Sequence, residues 1–353
     1  MSAGQFFYEL FYRTDELFAR IYATAHGAWA TRGLPSVLLD VLFQLAAAAA
    51  VGLFFVLNAL FIIYFDRKVA ARLQVRRGPN RVGPFGVFQT LADTLKLLQK
   101  EDIVPVSADR FVFRMAPLLV LVATFMMFMV LPFGRGLIAA DINVGLVYIL
   151  AISGVTVIGI LAGGWASNNK YSLMGGMRSA AQIVSYEVPA VLTVLSVALL
   201  AGSLKMGDIV AAQPKVGFII FQPVGFILYL IASNAEINRA PFDLPEADSE
   251  LVSGFVTEYS AITFALFFLA EYTNLFLAGG FAATLFLGGW RGPFLPPIVW
   301  FLIKTYFVVF LLTWARWTFP RLRVDHLMEF SWKVLVPLAL LNLIVTAVLV
   351  KVL

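Results

Sequence analysis

The sequence predicts an all-α polytopic membrane protein: eight transmembrane helices, an N-terminal amphipathic interfacial helix and ordered cytoplasmic loops. Three observations predict it. Hydrophobic residues are 61% of the 353 and charged residues 13%, where a soluble domain carries roughly 25% charged residues. Eight segments are apolar over the ~20 residues that a helix needs to cross a bilayer. The charges that remain gather between those segments.

Residues 1–36 form the interfacial segment. Phe6, Phe7, Leu10, Phe11, Leu17, Phe18 and Ile21 alternate with Glu9, Arg13, Asp15 and Arg20, a pattern that lays a helix along a membrane surface. Acids in this stretch and the lack of a small-residue cleavage pattern argue against a signal peptide. Residues 37–353 form one transmembrane domain. Its expected spans are 38–65, with the alanine run 46–50, then 115–133, 144–164, 180–201, 217–234, 252–277, 297–314 and 332–352. The fifth is short and holds Pro223. Between the sixth and the seventh, 279–290 (GGFAATLFLGGW) is apolar but too short to cross, and reads as a re-entrant or interfacial piece. Large loops occupy 66–114 and 235–251.

Basic residues give the orientation. The first large loop and the loops on its side hold 17 Lys and Arg, the opposite side holds eight, and Lys304 lies within the seventh span. The excess places the large loops in the cytoplasm and both termini outside. The net charge of +5 therefore reflects topology and does not imply nucleic-acid binding. With no cysteine, and only His26 and His326 as histidines, the chain alone cannot hold a cysteine-ligated iron–sulfur cluster or a bis-histidine haem. No metal site is expected. Any redox centre belongs to a partner or is a diffusible substrate.

The chemistry concentrates in 236–259. Glu236, Asp243, Glu246, Asp248, Glu250 and Glu258 are six of the chain's 21 acids, against the single base Arg239. Pro241, Phe242, Leu244 and Pro245 make the stretch stiff and partly apolar, which suits a packed loop. Carboxylates packed this closely cannot all ionise freely. Further ionisable groups fall inside the expected spans: Glu187, followed by Pro189, then Glu258, Glu271 and Lys304. Hydrocarbon penalises each by a few kcal/mol. The bland reading pairs them with one another or lets them snorkel to an interface; for Glu258, near a span end, the two readings have even weight. Glu187 and Glu271 lie too deep to reach water without a cavity, so a functional role is the stronger reading.

Two more stretches join them. In 66–102, Asp66, Arg67 and Lys68 end the first span and a Gly/Pro-set basic turn follows at 76–84 (RRGPNRVGP). Phe88, Leu91, Ala92, Leu95, Leu97 and Leu98 then recur with a helical period. A lipid-headgroup anchor or the grip on an acidic partner explains such a loop equally. In 167–189 (SNNKYSLMGGMRSAAQIVSYEVP) a polar turn, paired glycines and Arg178 lead to Glu187. On these facts alone the chain is a membrane carrier of protons or ions, with no substrate named.

These stretches, together with 235–272 and 316–337 (RWTFPRLRVDHLMEFSWKVLVP), resemble the quinone-tunnel membrane component of respiratory complex I, its H subunit, in the NADH-quinone oxidoreductase family. The resemblance covers essentially the whole chain after residue 37. It implies a subunit at the junction of the peripheral redox arm and the membrane arm, walling a tunnel for quinone. The substrate would be ubiquinone or menaquinone, with no cofactor held by this chain alone. The partners would be peripheral-arm subunits carrying the terminal iron–sulfur cluster, small and antiporter-like membrane-arm subunits, and the lipid bilayer of a prokaryotic inner membrane. Carried over by residue, Glu236, Glu246, Asp248 and Glu250 are the loop carboxylates and Glu187, Glu258 and Glu271 those within the membrane, all in a proton relay. Asp66, Arg67 and Lys68 would lie at the tunnel mouth or wall, with Arg239 and Asp243 ordering the loop. The family has Glu where this chain has Asp66. A unit charge about 10 Å away at an effective dielectric near 20 is worth about 1.7 kcal/mol, more than one pKa unit, so charge formed on quinone can change the protonation of a poised acid. The alternatives are the related membrane subunit of energy-converting hydrogenases, a stand-alone ion transporter and a passive anchor.

Overall fold

Every element of the computed structural model is helical among the residues it describes, which are 9, 14–30, 36–214, 216–245 and 248–352; the side chains of 14, 15, 18, 27–30, 36, 248 and 249 are excluded. Seven helices there are long and apolar enough to cross a membrane, by length and composition. The chain is thus an all-helical polytopic membrane protein.

In chain order the helices are α1 (Thr14–Ala30), α2 (Ser36–Leu73), α3 (Gln89–Gln99), α4 (Arg110–Met129), α5 (Gly145–Ala166), α6 (Lys170–Ala201), α7 (Met206–Ala211), α8 (Pro223–Glu236) and α9 (Asp248–Leu251). Then come α10 (Ala261–Phe286), α11 (Pro297–Thr318), α12 (Val324–Phe330) and α13 (Val336–Val352), the last two joined through a π-helical turn at Ser331–Leu335. The 38 residues of α2 span about 57 Å at 1.5 Å per residue, almost twice a ~30 Å hydrocarbon core. Asp66, Arg67 and Lys68 are therefore part of that same helix, not of a loop. Likewise α6 begins at Lys170, so the polar motif through Arg178 is helical. The period read at 88–98 corresponds to α3.

The fifth expected span and the apolar piece at 279–290 also differ from what is found. The fifth span is a helix of only 14 residues, about 21 Å long. Pro223 supplies the fixed φ of its first turn. The residues before it are not helical because their backbone bonds elsewhere: Ile219 N donates to Phe286 O at 2.9 Å and Phe218 N to Gln213 Oε1 at 2.9 Å. Irregular backbone is tolerated at membrane depth where protein satisfies it. The second correction concerns 279–290. Residues 279–286 are no re-entrant piece; they are the last two turns of the continuous α10. A Cβ on Gly279 would sit 2.8 Å from Thr305 O, and one on Gly280 would sit 2.9 Å from Leu131. The glycines let α11 and the end of α4 close on α10, and that contact makes α10 the axis of the bundle.

Around α10 lies the main core, with Phe55, Phe128, Phe276, Phe286, Phe301 and Val309 among its buried members. A second cluster joins α4, α5 and α6 to Phe255, Val256 and Tyr259. A third gathers Tyr186, Phe242, Leu244 and Leu327. The acidic segment is thus packed, as its Phe and Leu residues predict. Gln182 of α6 holds it at two points, donating to Ala235 O at 2.7 Å and to Phe242 O at 2.8 Å. Gly175 opens the room: its Cβ would lie 2.7 Å from Phe255 N. Its neighbour Gly176 faces the backbone of α5 instead, where a Cβ would lie 3.4 Å from Ile160 O.

Prolines inside α4 and α6 free carbonyls that a helix normally occupies. Pro117 frees Phe113 O, which accepts from the Tyr259 hydroxyl at 3.1 Å. Pro189 frees Ser185 O, which accepts from the Ser331 hydroxyl at 2.7 Å. Both orphaned acceptors are satisfied by a distant segment, so each proline becomes a tertiary anchor.

Candidate functional site

The expected site residues fall into three groups. The first surrounds Asp66, which is only 2% exposed. Three donors from two other helices converge on it: Tyr272 Oη of α10 at 3.0 Å, with Arg316 Nη1 at 3.1 Å and Trp317 Nε1 at 2.9 Å from α11. Burying a carboxylate is tolerable when it is paired and hydrogen-bonded in this way. Its neighbours turn elsewhere, since successive helical positions diverge by about 100°. Arg67 pairs with Asp93 of α3 at 2.5 Å, and Lys68 lies 5.4 Å from the Tyr64 ring.

One residue along α10 begins the second group. Glu271 accepts from Arg239 Nε at 3.0 Å, and the Arg239 guanidinium lies 4.3 Å over the Tyr272 ring. Arg239 is 1% exposed. The single base of the acidic segment is thus pinned to α10, and Tyr272 links this pair to the Asp66 cluster. Glu271 also borders a cavity of about 220 Å³, lined among others by Thr156, Glu236, Asn238, Phe268 and Asn274. At about 30 Å³ per molecule it has room for several waters.

Glu236, the last residue of α8, reaches this cavity and a second one of about 80 Å³, whose walls include Ser153, Ala190, Tyr229 and Leu285. Thr156, Glu236, Ile237 and Asn274 line both. Glu187 reaches α5 next to Ser153: a Cβ on Gly154 would be 4.0 Å from its Oε1. The Glu187 and Glu236 charges act on each other, and Ser153 lies within hydrogen-bonding reach of Glu236. Four carboxyl groups from α2, α6, α8 and α10 are therefore strung through the interior in the order Asp66, Glu271, Glu236, Glu187.

The third group is peripheral. Glu250 of α9 binds Arg178 at 2.5 Å. That hydrogen bond holds its carboxyl below the ordinary Glu range, with Arg321 and Arg323 adding to the pull. Glu258 is not inside a span as expected. It precedes α10, where it accepts from Asn169 Nδ2 at 2.5 Å, and Asn169 also caps the start of α6. Its place is a joint between segments, because the helix begins only after the turn at Gly254–Val256. Asp243 is half-buried in the segment. Glu246 lies outside the described residues, and so does the Asp248 side chain. Lys304, inside α11, pairs with no acid among the described residues; it donates to Gly289 O at 3.0 Å and Arg291 O at 2.6 Å and so ties down the loop after α10.

Sequence reasoning missed Tyr272, Arg316, Trp317, Ser153, Asn238 and Asn274. Arg316 and Trp317 sit in a stretch quoted for its resemblance and Tyr272 follows a chosen glutamate, so proximity to motifs was the available signal. For Ser153 and Asn274 there was none.

The family model described as NADH dehydrogenase matches residues 46–347, a range that holds every group above. The chain belongs to this family. Members similar to it are named as the H subunit of NADH-quinone oxidoreductase. The one from Carboxydothermus hydrogenoformans is 53% identical over 87% of this chain and 89% of the relative. That of Bacillus cytotoxicus is 55% identical over 81% and 88%, and a numbered H subunit from Geobacter metallireducens is 48% identical over 88% and 97%. The NADH dehydrogenase match leaves α1 outside, while the helices that carry Asp66, Glu187, Glu236 and Glu271 all lie within it.

Proposed function

We propose that this chain is the membrane subunit of a proton-translocating NADH-quinone oxidoreductase, where it walls the quinone path and passes the effect of quinone reduction to proton-conducting partners. The observation that carries this reading is Glu236, which lines two adjoining cavities, one of them bordered by Glu271, and stands near enough to Glu187 for the two charges to act on each other. Carboxyl groups separated by water-sized spaces can exchange protons in steps. Ionisable residues inside a membrane are costly, and those that face a cavity mark such routes. The Asp66 cluster, through its tyrosine and arginine, forms the wall that quinone meets. Asp243, Glu246, Asp248 and Glu250 belong to the loop that the peripheral partner seats upon, with Arg239 fixing its inner end.

The electron carrier is the terminal iron–sulfur cluster of that peripheral partner, and the acceptor is ubiquinone or menaquinone. Small and antiporter-like membrane subunits flank the chain in a bacterial inner membrane. The excess of Lys and Arg on one side supports cytoplasmic large loops and outer termini. We count α8 with the irregular residues before it as the eighth crossing, and lay α1 along the outer interface on its exposed Ile21 and Tyr22. The names of the relatives support quinone chemistry over the hydrogenase alternative.

The test uses inverted vesicles containing the assembled complex, with NADH as donor and a short-chain quinone as acceptor. Glu187→Gln, Glu236→Gln and Glu271→Gln are expected to lower coupled turnover while the complex still assembles. Parental rates and proton-to-electron ratios in all three would refute the relay. The chain alone in liposomes is expected to conduct no ions.

A further inference from the structure

Trp317 occupies the last turn of α11, with 37% of its surface exposed. An aromatic side chain at the end of a membrane helix ordinarily sits in the interfacial belt, with its polar tip directed to headgroups and water. Here the indole N–H points inward. It donates at 2.9 Å to Oδ1 of Asp66, which is 2% exposed. The other oxygen, Oδ2, receives both Tyr272 and Arg316. Trp317 is therefore the sole donor to Oδ1 given by the hydrogen bonds of the described residues. Arg316, its chain neighbour, lies 5.4 Å from the same ring. The geometry makes a fork: one oxygen fixed by the indole sets the plane of the carboxylate, and that plane decides whether the second oxygen meets a phenol and a guanidinium together.

We propose that Trp317 is a positioning residue for quinone, acting through Asp66: its indole N–H holds the carboxylate so that Tyr272 and Arg316 keep their place on the wall of the quinone path. This rests on the proposed role of the Asp66 cluster and adds to it a residue that does not itself touch substrate. Without the N–H, the carboxylate rotates toward its two remaining donors and the phenol and guanidinium shift with it. The lower end of the worth of a hydrogen bond to an ionised group, about 1.5 kcal/mol, corresponds to a factor of about ten, so the loss is expected to appear as an approximately tenfold rise in the quinone KM, with kcat changed less than twofold.

The experiment is a double-mutant cycle on the assembled complex in its own membranes, with NADH as donor, decylubiquinone or a short-chain menaquinone as acceptor, and rates normalised to complex content. Trp317→Phe keeps the ring and removes the donor; Asp66→Asn changes the acceptor; the third variant carries both. The expected result is that Trp317→Phe raises KM and that the double variant is no worse than Asp66→Asn, since the amide turns its single oxygen to Tyr272 and Arg316 and presents to the indole an NH2 that cannot accept. A parental KM in Trp317→Phe, with Asp66→Asn impaired, overturns the assignment and leaves the proposed function standing. Additive effects also overturn it, because they make Trp317 a packing residue only. A parental Asp66→Asn overturns the reading of the cluster itself. If Trp317→Phe fails to assemble, Trp317→His, which keeps an N–H, decides: near-parental KM supports the proposal and a tenfold rise overturns it.

Discussion

Replacing Arg239 by methionine leaves Glu271 beside α10 without its cation. The Arg239 Nε to Glu271 Oε1 distance is 3.0 Å, and the two side chains are 1% and 17% exposed, so solvent screens this pair little. Removing one partner of a buried pair typically costs about 3–5 kcal/mol, because the other charge stays behind. The lower end applies here: Arg239 Nη1 and Nη2 are buried without a hydrogen-bond partner among the described residues, so the parent already carries an unreturned desolvation cost. The stack over Tyr272 adds about 1–2 kcal/mol to the loss. The expected outcome is a destabilisation of about 4 kcal/mol for Arg239→Met, read as a fall in the thermal midpoint of the purified complex and in its membrane content. Glu271→Gln in the same chain should recover part of it, since no charge is then abandoned. Parental thermal stability for Arg239→Met, or a double variant worse than the sum of the two single ones, would refute the reasoning.

Ser331→Ala removes the donor that satisfies the carbonyl freed by Pro189, and is expected to cost about 1–3 kcal/mol; adding Pro189→Ala, which lets the helix bond re-form, should restore stability in the same melting assay. Gly175→Val drives a side chain into the Gly254–Phe255 backbone and should expose the acidic segment to proteolysis without changing the spans. The Glu250–Arg178 pair has a defined pH dependence. Arg178 holds the Glu250 carboxyl below its ordinary value of 4.5, so the pair's contribution is full above that value and is lost only as pH falls through the lower folded value. Hydrogen-exchange protection in 248–251, taken relative to the intrinsic rate at each pH, should hold from neutral pH down to about 4.5 and fall below it, and Glu250→Gln should remove that pH step.

The spans of this protein could be read from its sequence because a bilayer imposes a length, and α2, α4, α5, α6, α11 and α13 each meet it with an apolar run. The packed nature of the acidic segment was also legible, since Phe242 and Leu244 in a charged loop have no reason to be there unless buried. What the runs do not carry is which apolar face meets lipid and which meets protein, as both environments favour the same side chains. For that reason the end of α10 looked like a separate membrane piece, when its glycines are the contact with α11 and α4. The carboxylates divide in the same way. Their presence in apolar surroundings marked Glu187 and Glu271 from sequence. Only the tertiary structure gave Asp66 its partners on α10 and α11, joined Glu271 to Arg239, brought Glu236 and Glu271 to one cavity wall and moved Glu258 out of the helix. Hydrogen bonds between groups 206 or 251 residues apart, as from Tyr272 or Trp317 to Asp66, leave no periodic trace in the chain, because they depend on how helices cross and not on what each one contains.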